Sequence, residues 1–307
     1  MTQKTQGREP RAPGLFERKW GTNIFDWANN IFMFVLAIAI LYPLYFVLVA
    51  SFTDPTVVST GKLLLYPETL YLGGYRRVFA YTPIWRGYSN TILYTTVGTS
   101  ISLLVTIPGA YTLSRKDLPF RRQLMFLFTF TMFFSGGLIP MFLLLNTLSL
   151  YNTIWAVTLP GAVSVYNLIV CRTFFSTTLP DELLEAARIE GCDDFGFFFR
   201  IALPLSSTIV TVMILFYATS IWNSFMNALM FLGDAAKMPL QVVLRNLILI
   251  NEATMLSSEG VAMVERIKIA EQLKFGIIVV AALPLLMVYP FLQRYITKGV
   301  MIGAIKG

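Results

Sequence analysis

EAARIEGCDDFGFFFRIALP, the segment from Glu185 to Pro204, is charged and aromatic in a chain that is otherwise mostly apolar. Pro180 suits the first turn of a helix, and the acidic residues that follow it suit the positive end of the helix dipole. Gly191 is expected to end this helix, because glycine accepts the left-handed conformation that lets a chain reverse. A second short helix is expected from Cys192 to Arg200. The segment therefore predicts a helix-turn-helix that lies along a membrane surface.

This helix-turn-helix is acidic, although loops at membrane surfaces are usually basic. Between residues 181 and 200 six acids stand against Arg188 and Arg200, which gives a net charge of −4. The acids are Asp181, Glu182, Glu185, Glu190, Asp193 and Asp194. Such a surface repels anionic lipid and suits a basic protein partner. A solvated hairpin that is anchored in the interface by its phenylalanines is the alternative that the charges leave open.

The composition of the whole chain indicates a polytopic membrane protein of the all-α class. Of 307 residues, 56% are hydrophobic and 13% are charged, and the mean hydropathy is +0.65. A helix needs about 20 apolar residues to cross the hydrocarbon core. The sequence therefore predicts six transmembrane helices, at residues 27–51, 90–113, 123–146, 153–171, 202–231 and 275–293.

Lysine and arginine are distributed unevenly between the segments that join these helices. With a cytoplasmic amino terminus, 15 basic residues lie inside and 9 outside, and the excess predicts that both termini are cytoplasmic. The outer segment at 232–274 is long, and its part from Ser257 to Leu273 reads as an amphipathic helix. The predicted organisation is a cytoplasmic tail at 1–26, a first helix at 27–51, an outer loop at 52–89, a core membrane domain at 90–293 and a cytoplasmic tail at 294–307.

Several classes of protein are excluded by what the sequence lacks. It has two distant cysteines and no histidine, so it predicts neither a disulfide framework nor a metal site. It has no phosphate-binding loop, and no basic surface typical of nucleic-acid binding. Apart from Asp26 at the mouth of the first, no Asp, Glu, Lys or Arg lies within the predicted helices, which argues against proton coupling. A sodium-coupled secondary sugar carrier and a non-transporting membrane scaffold remain open on the residues alone.

The spacing in the acidic segment resembles a known motif. Glu185-Ala186-Ala187, three residues, Gly191, nine residues, Ile201, one residue and Leu203-Pro204 match the EAA loop, EAAxxxGx9IxLP, at every specified position. The EAA loop is typical of permease subunits of binding-protein-dependent ABC importers, and the chain is identified as a member of this family. The similarity extends over nearly everything after residue 25.

Four further stretches resemble the carbohydrate-uptake branch of these permeases, in particular permeases for complex oligosaccharides, aldouronates and alginate. They are SGGLIPMFLLLNTLSLYNTIWAVTLP (135–160), WNSFMNALMFL (222–232), MPLQ (238–241) and YPFLQRYITKGVMIGAIKG (289–307). The resemblance implies a type I ABC importer permease fold and an oligosaccharide substrate, including acidic, uronate-containing sugars. It places the chain in the bacterial cytoplasmic (inner) membrane as a multi-pass protein.

The resemblance also implies partners and a role for the EAA loop, residues 180–204. In the family this loop docks into a cleft of a separate ATPase subunit. By resemblance Glu185 and Gly191 carry the contact and the turn, while Ala186 and Ala187 allow close approach. The implied coupling residues are Glu185, Ala186, Ala187, Gly191, Asp193 and Asp194.

The implied complex contains a second, homologous permease, two ATPase subunits and an extracytoplasmic solute-binding protein. The ATPase subunits would bind ATP and Mg, so that this chain needs no cofactor and has no catalytic residue of its own.

Polar residues recur at helical spacing in the fifth apolar stretch, and the pattern predicts one polar stripe along a helix. The residues are Ser220, Asn223, Ser224 and Asn227, with Trp222 beside them. Amides, hydroxyls and a stacking ring suit a sugar, so the stripe is a predicted substrate pathway with Asn223 as its main contact. Hydrogen bonds to neighbouring helices are the alternative role. Tyr166 and Asn167 in the fourth stretch are further candidates.

Overall fold

The computed structural model describes residues 19–58, 66–67, 70–256, 273–284 and 286–287. These residues form helices joined by turns, and none of them lies in a strand, which confirms the predicted all-α class. The chain divides into two compact units, Met1–Leu70 and Tyr71–Gly307. The predicted tail at 294–307 and nearly all of the amphipathic segment from Ser257 lie outside the described residues.

The described residues of the first unit form a long helix and a short one. Helix α1 is Lys19–Phe52 and helix α2 is Pro55–Val58. α1 contains the whole predicted span 27–51 and continues through Pro43 without a break in the helix. The apolar side chains in its first part are exposed, from Phe25 to Leu44, as expected of a helix whose solvent is lipid.

The second unit is a bundle of helices of very unequal length. They are α3 (Gly73–Ala80), α4 (Thr82–Ser114), α5 (Arg121–Phe133), α6 (Leu138–Thr147), α7 (Ile154–Thr158), α8 (Val165–Thr178), α9 (Asp181–Ile189), α10 (Asp194–Phe197), a π-helical turn (Phe198–Ala202), α11 (Leu203–Leu205), α12 (Ser207–Asn223), α13 (Met226–Phe231), a 3₁₀ turn (Ala235–Lys237), α14 (Leu240–Leu256) and α15 (Leu273–Pro284). The longest of them, α4, contacts α8, α12 and α14.

Two glycines let α4 approach its neighbours closely. A Cβ atom at Gly98 would lie 2.8 Å from Ile221 Cδ1 of α12, and one at Gly87 would lie 3.0 Å from the Cα atom of Leu240 in α14. Both distances are shorter than ordinary carbon contacts, so a side chain at Gly87 would push against the backbone of α14 and one at Gly98 would displace the Ile221 side chain. The absence of a side chain at Gly87 therefore lets α14 lie close on α4, and Gly98 leaves room for Ile221 of α12.

Hydrogen bonds also fix the beginning of α14 to α4. The Asn90 amide donates to the carbonyl oxygens of Ala236 and Met238, at 2.8 and 3.0 Å. The Leu240 backbone N–H donates to Thr91 Oγ1 at 2.9 Å, inside the protein. Buried backbone groups need such partners. The short turn before α14 is thus held at a defined place on the bundle.

The structure interrupts several of the predicted spans. Two described helices are long and apolar enough to cross a membrane alone, Phe25–Phe52 and Thr82–Ser114. The span predicted at 123–146 is instead the pair α5 and α6, which meet at an angle of 110°. The bend lies at Gly136-Gly137, where Gly137 has a φ of +85° that only glycine adopts readily.

The spans predicted at 153–171 and 202–231 are divided in the same way. The first is split into α7 and α8 around Pro160, which cannot donate a helical hydrogen bond. The second is broken at Ser206, where the helical segment 194–205 meets α12 at 78°, and again at Ser224. The span at 275–293 is described only as far as residue 287. Six crossings of the membrane stay a prediction, because a bent pair of helices can form a single crossing.

Candidate functional site

The EAA loop folds as the predicted helix-turn-helix. α9 ends in a Schellman motif, in which the Gly191 N–H donates to the Arg188 carbonyl at 3.0 Å and the Cys192 N–H donates to the Ala187 carbonyl at 2.9 Å. Gly191 has a φ of +80°, so the predicted left-handed glycine is confirmed. The chain reverses there and α10 begins at Asp194.

Aromatic packing attaches the EAA loop to the ends of α4 and α8. The Phe198 ring lies 5.0 Å from the Tyr111 ring of α4, and the Phe175 ring of α8 lies 5.7 Å from it. Phe197 and Ala187 are buried in the same cluster. Burying a phenylalanine contributes about 1.5–3 kcal/mol. Ala187, predicted to allow approach of a partner, therefore places its short side chain against its own chain.

An exposed face remains on the EAA loop around the turn. Glu185, Ala186 and Gly191 are exposed, as the predicted contact requires. Two large apolar side chains lie beside them, with 89% of Ile189 and 76% of Phe195 exposed. Apolar groups next to acidic ones are typical of a surface that a partner covers. Sequence reasoning did not single out Ile189, and it considered Phe195 only as one of the phenylalanines that could anchor the hairpin in the interface.

The acids of the EAA loop differ in their partners. Asp193 caps α10, because its Oδ1 accepts the Gly196 N–H at 3.0 Å. Asp194 Oδ1 forms an ion pair with Arg188 Nη2 at 3.2 Å. Among the described residues neither a hydrogen bond nor an ion pair engages the Glu185 carboxylate. Glu185 is therefore the predicted coupling acid that is best placed to meet a basic partner.

An ion network joins the EAA loop to the turn after α4. Arg115 Nη2 lies 2.6 Å from Asp117 Oδ2 and 3.8 Å from Asp194 Oδ1, and Arg188 Nη2 lies 3.4 Å from Asp117 Oδ2. The hydrogen bond from the Arg115 guanidinium lowers the pKa of Asp117 to about 2. The carboxylate thus stays ionised at physiological pH, and the network links α4, α9 and α10 at the same end of the bundle.

Four of the predicted substrate residues line one cavity of about 230 Å³, which we call the polar cavity. They are Asn167, Ser220, Ser224 and Asn227. The lining given by the described residues carries hydroxyls and amides and includes no charged side chain. The Asn227 side chain makes no hydrogen bond with another described residue. Its amide is therefore free to bond a hydroxylated ligand.

The prediction of a single polar stripe is wrong. α12 ends at Asn223, and Ser224 is extended with a ψ of 117°, so the helical spacing does not continue to Asn227. Asn223 and Trp222 line a different cavity of about 510 Å³, which we call the arginine cavity because it contains Arg245. The Asn223 amide also donates to the Thr219 carbonyl at 3.0 Å. Asn223, the predicted main contact, is thus separated from Ser220, Ser224 and Asn227, the other three residues of the stripe.

Further residues of these cavities were missed by sequence reasoning. Tyr166 is exposed and lines neither cavity, whereas Tyr217 and Ser164 line the polar cavity. The Tyr217 hydroxyl accepts the Ser164 N–H at 3.1 Å and shares a hydrogen bond with Thr106 Oγ1 at 2.7 Å. Tyr217 lies three residues before Ser220, so helical spacing would have found it. The described residues hold no group of acids or cysteines that could bind a metal.

Long apolar helices, broken spans that surround polar cavities and an acidic hairpin at the end of the bundle define a polytopic membrane permease. The chain belongs to the family described as "Binding-protein-dependent transport system inner membrane component", which matches residues 81–302. It therefore has the type I ABC importer permease fold. Membership of this family decides against the sodium-coupled carrier and the membrane scaffold.

Relatives match over almost the whole chain. The polygalacturonan/rhamnogalacturonan transport system permease protein YtcP of Bacillus subtilis is 39% identical over 92% of this chain and 99% of its own length. Protein LplC of Bacillus subtilis is 38% identical over 92% and 95%. A chain in the crystal structure of a bacterial ABC transporter involved in the import of the acidic polysaccharide alginate is 30% identical, with a TM-score of 0.80 over 90% of this chain and 98% of that one.

Proposed function

We propose that this chain is the permease subunit of an importer of acidic oligosaccharides, and that it forms the pathway together with a second, homologous permease. Two similar proteins support the acidic substrate, because one is named for polygalacturonan and rhamnogalacturonan and the other belongs to an importer of alginate. An extracytoplasmic binding protein delivers the sugar. Two ATPase subunits bind ATP and Mg and drive transport.

The EAA loop carries the coupling to the ATPase in this proposal. The observation that supports it most directly is the exposed face formed by Glu185, Ile189 and Phe195 on a hairpin whose other face is buried in the bundle. The buried face and the ion network make the hairpin move with α4 and α8. A force applied at the exposed face therefore reaches the helices that surround the polar cavity.

Co-expression tests this function. The tagged chain is expected to copurify with its second permease and with an ATPase, and the reconstituted complex is expected to hydrolyse ATP faster when the binding protein carries an oligogalacturonate. Paired substitutions Ile189→Ser and Phe195→Ser should remove the ATPase while the two permeases stay together, because only the apolar contact is lost. Retention of the ATPase by this variant would contradict docking at the EAA loop.

The proposal also places both termini and the EAA loop in the cytoplasm. In a chain with Cys171→Ala and Cys192→Ala, a new cysteine at the exposed Ala235 should react with a membrane-impermeant maleimide in intact cells. A cysteine at the exposed Glu190 should react only after permeabilisation. The reverse pattern of labelling would reject this orientation.

A further inference from the structure

The arginine cavity combines apolar walls with four polar or aromatic groups. Its volume of about 510 Å³ lies between the end of α12, the beginning of α14 and α15. Gln241 and Arg245 are four residues apart on α14, and Trp222 and Asn223 are the last residues of α12. The bonds from Asn90 and Thr91 hold the beginning of α14 on α4, which also contacts α12.

Arg245 is chemically unlike the rest of this lining. Most of the other lining residues are aliphatic, from Leu244 and Ile248 on α14 to Ala281 on α15. Arg245 is exposed, and among the side chains that the structure describes no carboxylate lies within 4 Å of it. A guanidinium beside apolar walls gains most from a carboxylate that it can bind with two parallel N–H groups.

We infer that the arginine cavity is a binding site for the uronate units of an acidic oligosaccharide, in which Arg245 binds the carboxylate. The amides of Asn223 and Gln241 are the hydrogen-bonding groups for the hydroxyls, and the buried Trp222 forms part of the apolar wall behind them. Among the described residues the lining of the polar cavity includes no charged side chain, so it offers a carboxylate no opposite charge. This inference rests on the proposed function and assigns the preference for acids to one residue.

Equilibrium binding to the purified permease–ATPase complex without the binding protein tests the inference, because the preference of the binding protein is then absent. The probes are an oligogalacturonate and its methyl ester, which has the same sugar units without the charges. Loss of a charge-assisted hydrogen bond costs about 10- to 100-fold in affinity. Arg245→Gln is therefore expected to weaken binding of the acid by about 10- to 100-fold. Binding of the ester should weaken by less than about 3-fold, because the ester has no charge for the arginine to bind.

Two companion variants make the result specific. Arg245→Lys keeps the charge but not the planar pair of donors, so its affinity for the acid should lie between those of the wild type and Arg245→Gln. Arg76→Gln removes an exposed arginine of α3 that is absent from the cavity lining, and it should bind both probes like the wild type. Equal loss of both probes in Arg245→Gln, or no measurable binding of the acid to the wild type, would overturn the inference.

The headgroup of an anionic lipid could bind Arg245 in the same way as a uronate. A separate experiment in vesicles of defined composition distinguishes the lipid from the sugar. In phosphatidylcholine vesicles without anionic lipid the difference between the two probes should persist if the sugar binds Arg245. If these vesicles show no difference between the probes, while phosphatidylglycerol binds the wild type more tightly than Arg245→Gln, the arginine serves lipid and the inference is overturned. Uptake by the complete wild-type complex is measured separately. If the complex imports a neutral oligosaccharide but not the acid, the proposed function is contradicted, and not only the role of Arg245.

Discussion

Gly191→Val is expected to lower both sugar uptake and sugar-stimulated ATP hydrolysis by about 5- to 30-fold, while the subunit still reaches the membrane. Gly191 has a φ of +80°, and a Cβ atom there would meet nothing within 4 Å. The cost of valine is therefore backbone strain alone, of about 1–2 kcal/mol. That energy opposes the Schellman turn and displaces the face around Glu185 from the ATPase.

Gly191→Asn is the matched control for this experiment. Asparagine is polar and larger than glycine but tolerates the left-handed region, so the turn should form and transport should stay near the wild-type level. Both variants place a side chain in the same open space, and they differ mainly in backbone preference. Normal ATPase stimulation in the Gly191→Val complex would show that the geometry of this turn does not serve coupling.

The turn at Gly191 could be predicted from the sequence because its determinants are local. Acids in the first turn of α9 and a glycine after its last turn act on groups within a few residues. The partners of the loop could not be predicted in this way. Asp117 lies 71 residues before Arg188 in the sequence. Only the packing of α4 against α8 brings the turn after α4 to the hairpin.

The continuity of the helices was the less predictable part of the fold. Hydropathy reports whether a stretch is apolar, and it stays high across Gly137, Ser206 and Ser224 because their neighbours are apolar. A helix nevertheless ends where the backbone turns and its carbonyls find other partners. The stripe from Ser220 to Asn227 failed for this reason, since the helical period was assumed to continue through Ser224.

The residues of the stripe lie in two cavities, and Asn227 lies in the polar cavity. Replacing Asn227 therefore tests whether the polar cavity binds sugar. Asn227→Ala is expected to weaken binding of an oligosaccharide by about 5- to 150-fold, because a buried hydroxyl of the bound sugar would lose its partner at a cost of about 1–3 kcal/mol. The acid and its methyl ester should lose affinity alike, since the amide is neutral. This separates the polar cavity from Arg245, whose replacement should weaken binding of the acid far more than binding of the ester.

Asn146→Ala is the control for Asn227→Ala, because Asn146 is also an asparagine near a helix end and its amide bonds only to the Phe142 carbonyl of its own helix among the described residues. It should bind both sugars normally. A role of Asn227 in helix packing predicts a different result, in which the thermal midpoint and the yield of assembled complex fall while binding per complex is unchanged. Measuring the dissociation constant and the melting temperature on the same preparation decides between these roles. Unchanged affinity with a lower melting temperature would assign Asn227 to packing, and the sugar pathway would then have to pass through the arginine cavity or the second permease.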